Sequence, residues 1–128
     1  ATGFTWDLFL VCGDPAAPET WFGGHDPAQV SPISCPDNLT FDSAGNLWVS
    51  TDGNALGGND GVFRVPVAGP RRGQVQQFCT VPKGAEACGP LIADDDRSLF
   101  VAVQHPGEDV STTQQFVLAA AADLAEGK

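Results

Sequence analysis

The sequence predicts an all-β fold made of β-propeller blades, and three observations carry that prediction. A block of short strands recurs with a period of 52 residues. The complete copy holds four strands in succession, as a propeller blade does. Turns rich in Gly, Asp, Asn and Pro separate the strands. The chain supplies one full blade and parts of two others. Because a propeller closes on roughly 4–8 blades, further propeller chain, covalently attached or not, is an expected partner.

The elements follow in order. "FTWDLFLVC" (4–12) reads as the last strand of a preceding blade. A long connection, 13–35, carries Pro15, Pro18, Pro27 and Pro32, and connections of that length are usually functional or disordered. "NLTFDSAGNLWVSTDG" then aligns with "PLIADDDRSLFVAVQH". Leu39 falls on Leu91, Asp42 on Asp94, Leu47 on Leu99, Trp48 on Phe100 and Val49 on Val101. The complete blade is 38–82, with strands at 38–42, 46–51, 61–66 and 74–81. The next blade begins at 90–103, with strands at 90–93 and 98–103. The tail, 111–128, breaks the pattern: its Ala-rich part, 113–126, reads as a short helix capped by Ser111 or Thr112.

Composition narrows the function classes. The 128 residues suit one domain, 42% hydrophobic and 17% charged, with a formal net charge of −10. Such a balance argues against nucleic acid, whose binding uses Lys and Arg to displace counterions, and against an anionic membrane surface. No window reaches the roughly 18 apolar residues of a membrane span, and no export leader is visible. Methionine is absent even at position 1, which predicts a processed product or a piece of a longer chain. Cys12, Cys35, Cys79 and Cys88 contain no C-x-x-C spacing and read as small buried thiols.

The candidate site lies where loops feed the first strand of each blade, the strand that lines the propeller tunnel. Asp37 and Asn38 precede that strand in the full blade, and Glu86 lies in the corresponding "KGAEACGP". Both connections deliver oxygen to the same tunnel mouth. Neighbouring carboxylates there repel unless protonated or bound to a cation, and Asp, Asn and Glu oxygens suit calcium or another hard ion. The competing reading is that Asp37 and Asn38 cap a turn. "TDGNALGGNDG" (51–61) lacks the spacing and closing Glu of an EF-hand and reads as a turn, with Asp52, Asn54, Asn59 and Asp60 as minor calcium contacts at most. Arg71 and Arg72 read as a solvated turn, and His25 as an exposed loop histidine.

The stretches "TWDLFLVCGDP", "SCPDNLTFD", "GNLWVSTDG", "GNDGVFRVPV", "GPRRGQVQQF", "GAEACGP" and "LFVAVQHPGE", in this order, resemble the C-terminal part of the PhoX-type alkaline phosphatases. The resemblance implies a six-bladed propeller. It also implies a secreted or periplasmic phosphomonoesterase with calcium (Ca2+) and iron (Fe3+) ions in its central funnel. Asp37 and Asn38 match the family's "PDN" and Glu86 its "GAE", which implies metal ligands at these three positions. Gln104, His105 and Glu108 match "QHPGE". The rest of the family's site, including a cysteine that bridges iron, comes from earlier blades. The four cysteines here stand where the family has other small or apolar residues.

The reading favoured by these motifs is a segment of a metal-dependent phosphomonoesterase acting on phosphate monoesters, in the periplasm or outside the cell. This chain by itself lacks a complete active site. Two alternatives stay open: a calcium-binding propeller module without chemistry, and a structural subunit in which short chains assemble a ring.

Overall fold

The computed structural model describes residues 2–53 and 55–106. The expected helix at 113–126, together with Asn54 and Glu108, lies outside the described residues. The fold is a partial β-propeller. Among the described residues eight strands run β1 Leu10–Val11, β2 Trp21–Phe22, β3 Pro36–Phe41, β4 Leu47–Thr51, β5 Gly61–Val65, β6 Gln76–Thr80, β7 Glu86–Ile92 and β8 Leu99–Gln104. The central sheet has the order β3-β4-β5-β6, flanked by the pairs β1-β2 and β7-β8. All of these pairings are antiparallel. No α-helix occurs among the described residues; two short 3-10 turns lie at Pro27–Gln29 and Gly69–Arg71.

Alternation along β4 and β5 explains the packing. Leu47, Val49, Phe63 and Val65 join Phe22, Ile33 and Val75 in one apolar layer, with Phe9, Leu10, Cys12 and Val30 against it. Trp48 and Val62 point the other way and join Val81, Ala85 and Ala87, backed by Ile92, Leu99 and Val101. A strand buried on both faces must be apolar at every position rather than at every second one, and β4 is buried throughout. The four-stranded blade is thus held between two layers, each shared with a neighbouring piece of sheet.

The structure departs from the sequence reading at several places, and the four cysteines, read as buried thiols, are only partly buried. Only Leu10 and Val11 of 4–12 are strand, and they pair with Trp21–Phe22 inside the long connection. Phe4 and Trp6 are 88% and 80% exposed, because nothing in the described chain gives them a ladder to join. Next, β7 starts at Glu86 rather than at residue 90. A bulge between Cys88 and Leu91 carries Pro90 past the ladder, and a bulge is where a strand tolerates proline. Finally, Arg72 is not a solvated turn residue. Its guanidinium donates to Asp7 at 2.6 Å and to the Gly23 carbonyl, and it lies 4.9 Å over the Phe9 ring. It fastens the N-terminal arm to the blade.

Candidate metal centre

Two side-chain latches fix the full blade against β7-β8, one at each end. At one end Asp96 accepts from the Ser43 backbone N–H at 3.1 Å and from the Ser43 hydroxyl. At the opposite end Asn38 Oδ1 accepts from the Gly89 N–H at 2.8 Å and from the Cys88 thiol at 3.3 Å. The second latch builds the candidate site.

Asp37 and Asn38 do not sit in a loop. They occupy a bulge in β3, where Pro36 pairs with Thr51 and Leu39 with Val49, so the two of them oppose Ser50 alone. A bulge of this kind re-aims the side chains it carries. On the neighbouring sheet, Glu86 and Cys88 lie two residues apart on β7. Period-two alternation therefore points both to the same face, while Ala87 between them is fully buried in the core. One ligand atom each from Asp37, Glu86 and Cys88 lies within 4.8 Å of the other two. Gln104 pairs with Glu86 in the β7-β8 ladder, and its amide reaches Glu86 Oε1 at 3.4 Å.

The structure therefore brings together Asp37, Asn38 and Glu86 and adds Cys88 and Gln104. Asn38 uses its carbonyl oxygen on Cys88 and Gly89, which makes it a strut between the two sheets. Cys88 was legible only as a thiol. The signal was its i, i+2 spacing from Glu86, which becomes informative once both residues are on a strand. The donor set fits a cation: two carboxylates suit a hard ion, and a thiol beside them adds a softer donor.

The glycine-rich connection at the same end of the blade has one of its two acids, Asp60, occupied. Asp60 accepts from the Thr51 hydroxyl at 2.6 Å and from the Gly53 N–H at 3.0 Å. Thr51 in turn accepts from the Gly61 N–H at 3.1 Å. Asp60 is 9% exposed and works as the anchor of its own loop. Beside it opens a cavity of about 330 Å3 lined by Pro32, Ser34, Leu56, Asn59 and Thr80 among others. His25 is half-buried rather than exposed, and its Nε2 has no hydrogen-bond partner.

Fold and site together define part of a β-propeller with two carboxylates and a thiol gathered at one end of its sheets. A model of the family described as alkaline phosphatase PhoX matches residues 1–107. The chain belongs to that family. It is also similar to the solved structure of Pseudomonas fluorescens PhoX in complex with vanadate, a transition state analogue, with 35% identity and a TM-score of 0.62. The match covers 84% of this chain and 20% of that one, so the chain spans about a fifth of its relative's length. No curated protein matches the chain.

Proposed function

We propose that this chain is a segment of a metal-dependent phosphomonoesterase and that it contributes Asp37 and Glu86, braced by Asn38 and Gln104, to a cation site at the propeller mouth. The observation that supports this most is the convergence of two carboxylates from separate sheets within 4.8 Å, in a chain whose relative is described with a transition state analogue bound. Calcium is the ion the carboxylates suit best, and iron the second ion of the reading. A bound cation supplies the positive charge that phosphoryl transfer needs on the phosphoryl oxygens and the leaving group.

The chain's own residues do the rest. Glu86 is held by Gln104 against the β7-β8 ladder, so its carboxylate is aimed before any ligand arrives. Asn38 locks the spacing between β3 and β7. The formal net charge of −10 repels a phosphate dianion unless cations invert the local sign. Binding of substrate is thereby made conditional on a loaded site.

The remainder of the propeller is the partner this reading requires. Leu91 and Phe100 are 58% and 61% exposed, and both lie on the outlying β7-β8 sheet. An apolar sheet with an open edge is stable only when covered, and further blades would cover it. The reading places the whole enzyme in the periplasm or outside the cell. No helix among the described residues is long and apolar enough to cross a membrane.

The test uses the polypeptide that carries the whole propeller. Asp37→Ala should lower both bound metal, by elemental analysis, and hydrolysis of a chromogenic phosphomonoester, while the β-rich circular dichroism persists. Full metal and full activity in the variant would leave Asp37 as a residue of the β3 bulge only.

A further inference from the structure

We propose that Cys88 turns the mouth cluster into a mixed oxygen–sulfur site, one that takes a thiophilic divalent cation such as Zn2+ or Cd2+ with the sulfur as a direct donor. This rests on the reading of the mouth as a cation site, but it concerns a different property, the class of ion accepted.

The cysteine is not alone. Its Sγ stands with one oxygen each of Asp37 and Glu86 inside 4.8 Å, and no other cysteine of the described chain shares such a group. Its direction follows from the strand. Glu86 and Cys88 alternate with the fully buried Ala87, so sulfur and carboxylate emerge side by side on the face away from the core. Asp37 reaches them from β3, across the sheet boundary that Asn38 closes.

The chemistry then discriminates. Ca2+ takes oxygen ligands, in sets of about 6–8, and gains nothing from sulfur. Zn2+ is four-coordinate and binds Cys sulfur as readily as carboxylate oxygen; with three protein donors it keeps an open position. Asp37, Glu86 and Cys88 are three such donors. On binding, the S–H bond gives way to a sulfur–metal bond and the proton leaves to solvent, with no change of oxidation state. Asn38 Oδ1 loses the thiol donor and keeps the Gly89 N–H at 2.8 Å, so the strut stands in both states.

The experiment takes the polypeptide with the whole propeller, strips it with a chelator and adds Cd2+ alone. Cadmium bound by thiolate shows a charge-transfer absorption in the ultraviolet that carboxylate alone does not give. In parallel, alkylation of each cysteine by iodoacetamide is followed by peptide mass mapping. We expect Cd2+ to slow alkylation of Cys88 in the wild-type protein and Ca2+ to leave it unchanged. Cys88→Ser should remove that part of the charge-transfer band and weaken Cd2+ binding by roughly 100-fold, at or beyond the upper end of what an outer-shell change costs. Equal alkylation of Cys88 with and without Cd2+, equal protection by Ca2+, or unchanged Cd2+ affinity in Cys88→Ser would each overturn the proposal. Asp37→Ala separates the two readings. If it lowers the amount of Ca2+ bound while Cd2+ ignores Cys88, the sulfur fails and the cation site stands. If neither ion depends on these residues, both fall.

Discussion

Neutralising Asp37 should change the sign of its effect on stability according to whether a cation is present. Two carboxylate charges within 4.8 Å of each other repel by about 1 kcal/mol in bulk water. Asp37 is exposed, so the water value is the appropriate one and salt reduces it further. In a chelator, Asp37→Asn should therefore leave the protein as stable as wild type or more stable by up to that ~1 kcal/mol. With Ca2+ at about 100 times its dissociation constant, wild type gains about 2.7 kcal/mol by linkage. The variant forfeits the share that this site contributes. Cation sites elsewhere in the propeller stabilise both proteins equally and cancel in the comparison. The assay is thermal melting of both proteins, each in EGTA and in Ca2+, at one ionic strength. The expected pattern is a crossing: the variant at or above wild type without Ca2+, below it with Ca2+. A variant that melts below wild type by the same interval in both conditions would refute the reasoning, because the loss would then be a lost structural contact rather than a lost ligand.

Three further outcomes follow from the geometry. Asn38→Ala should cost only about 1 kcal/mol, since water can replace it at the exposed Gly89 N–H, yet weaken cation binding by roughly 10- to 100-fold; calorimetric titration with Ca2+ reads the second effect. Burial pushes the Asp42 carboxyl up, but donation from the Trp48 and Asn46 side chains and the Asn46 backbone N–H, with the Arg64 charge, holds it below its ordinary value. A carboxyl lowered in the folded state stabilises above its unfolded value of about 3.9 and loses that contribution as pH falls through the folded value. The melting difference between wild type and Asp42→Asn should accordingly be largest near neutrality and shrink in acid. Gly73→Ala should be severe, about 2–5 kcal/mol from overpacking and the left-handed backbone together. The added Cβ would lie 1.8 Å from the Phe22 carbonyl oxygen at a φ of +82°, and a loss of soluble protein or a much lower melting temperature would register it.

The strands that sequence located best are those buried on both faces. β4 and β5 lie within a residue or two of their expected bounds because continuous apolar runs between glycine-rich turns leave little choice. Strands with tertiary requirements were less legible. The stretch 4–12 has the composition of a strand, but a ladder needs a partner, and among the described residues only Leu10 and Val11 find one. The start of β7 was hidden by Gly84, Gly89 and Pro90, which read locally as a loop. Arg72 could not be read at all, since Asp7 and Gly23 are its partners only after folding. For the site, Asp37, Asn38 and Glu86 were legible as residue types near a blade start. The thiol was not, because Asp37 and Cys88 meet across a sheet boundary that no local spacing records.

The repeat itself explains why donors accumulate at this boundary. The bulge in β3 spans Pro36 to Leu39, and the bulge in β7 spans Cys88 to Leu91. These positions are 52 residues apart, the period of the sequence. Each bulge places one extra residue at the head of the first strand and turns the preceding residues onto a new face. The backbone device is therefore the same in both copies, but the side chains on it are not. Asp37 and Asn38 correspond to Gly89 and Pro90, and Glu86 corresponds to Ser34. The first copy carries its polar groups within the bulge, and the second carries them ahead of it. Facing each other, the two staggered sets interlock: Asn38 takes the N–H of Gly89, the residue equivalent to Asp37. That contact leaves Asp37 free to meet Glu86 and Cys88. Identical donors at identical positions would sit one blade apart instead. The divergence of side chains on a shared backbone irregularity is thus what converts a structural repeat into a site between two sheets.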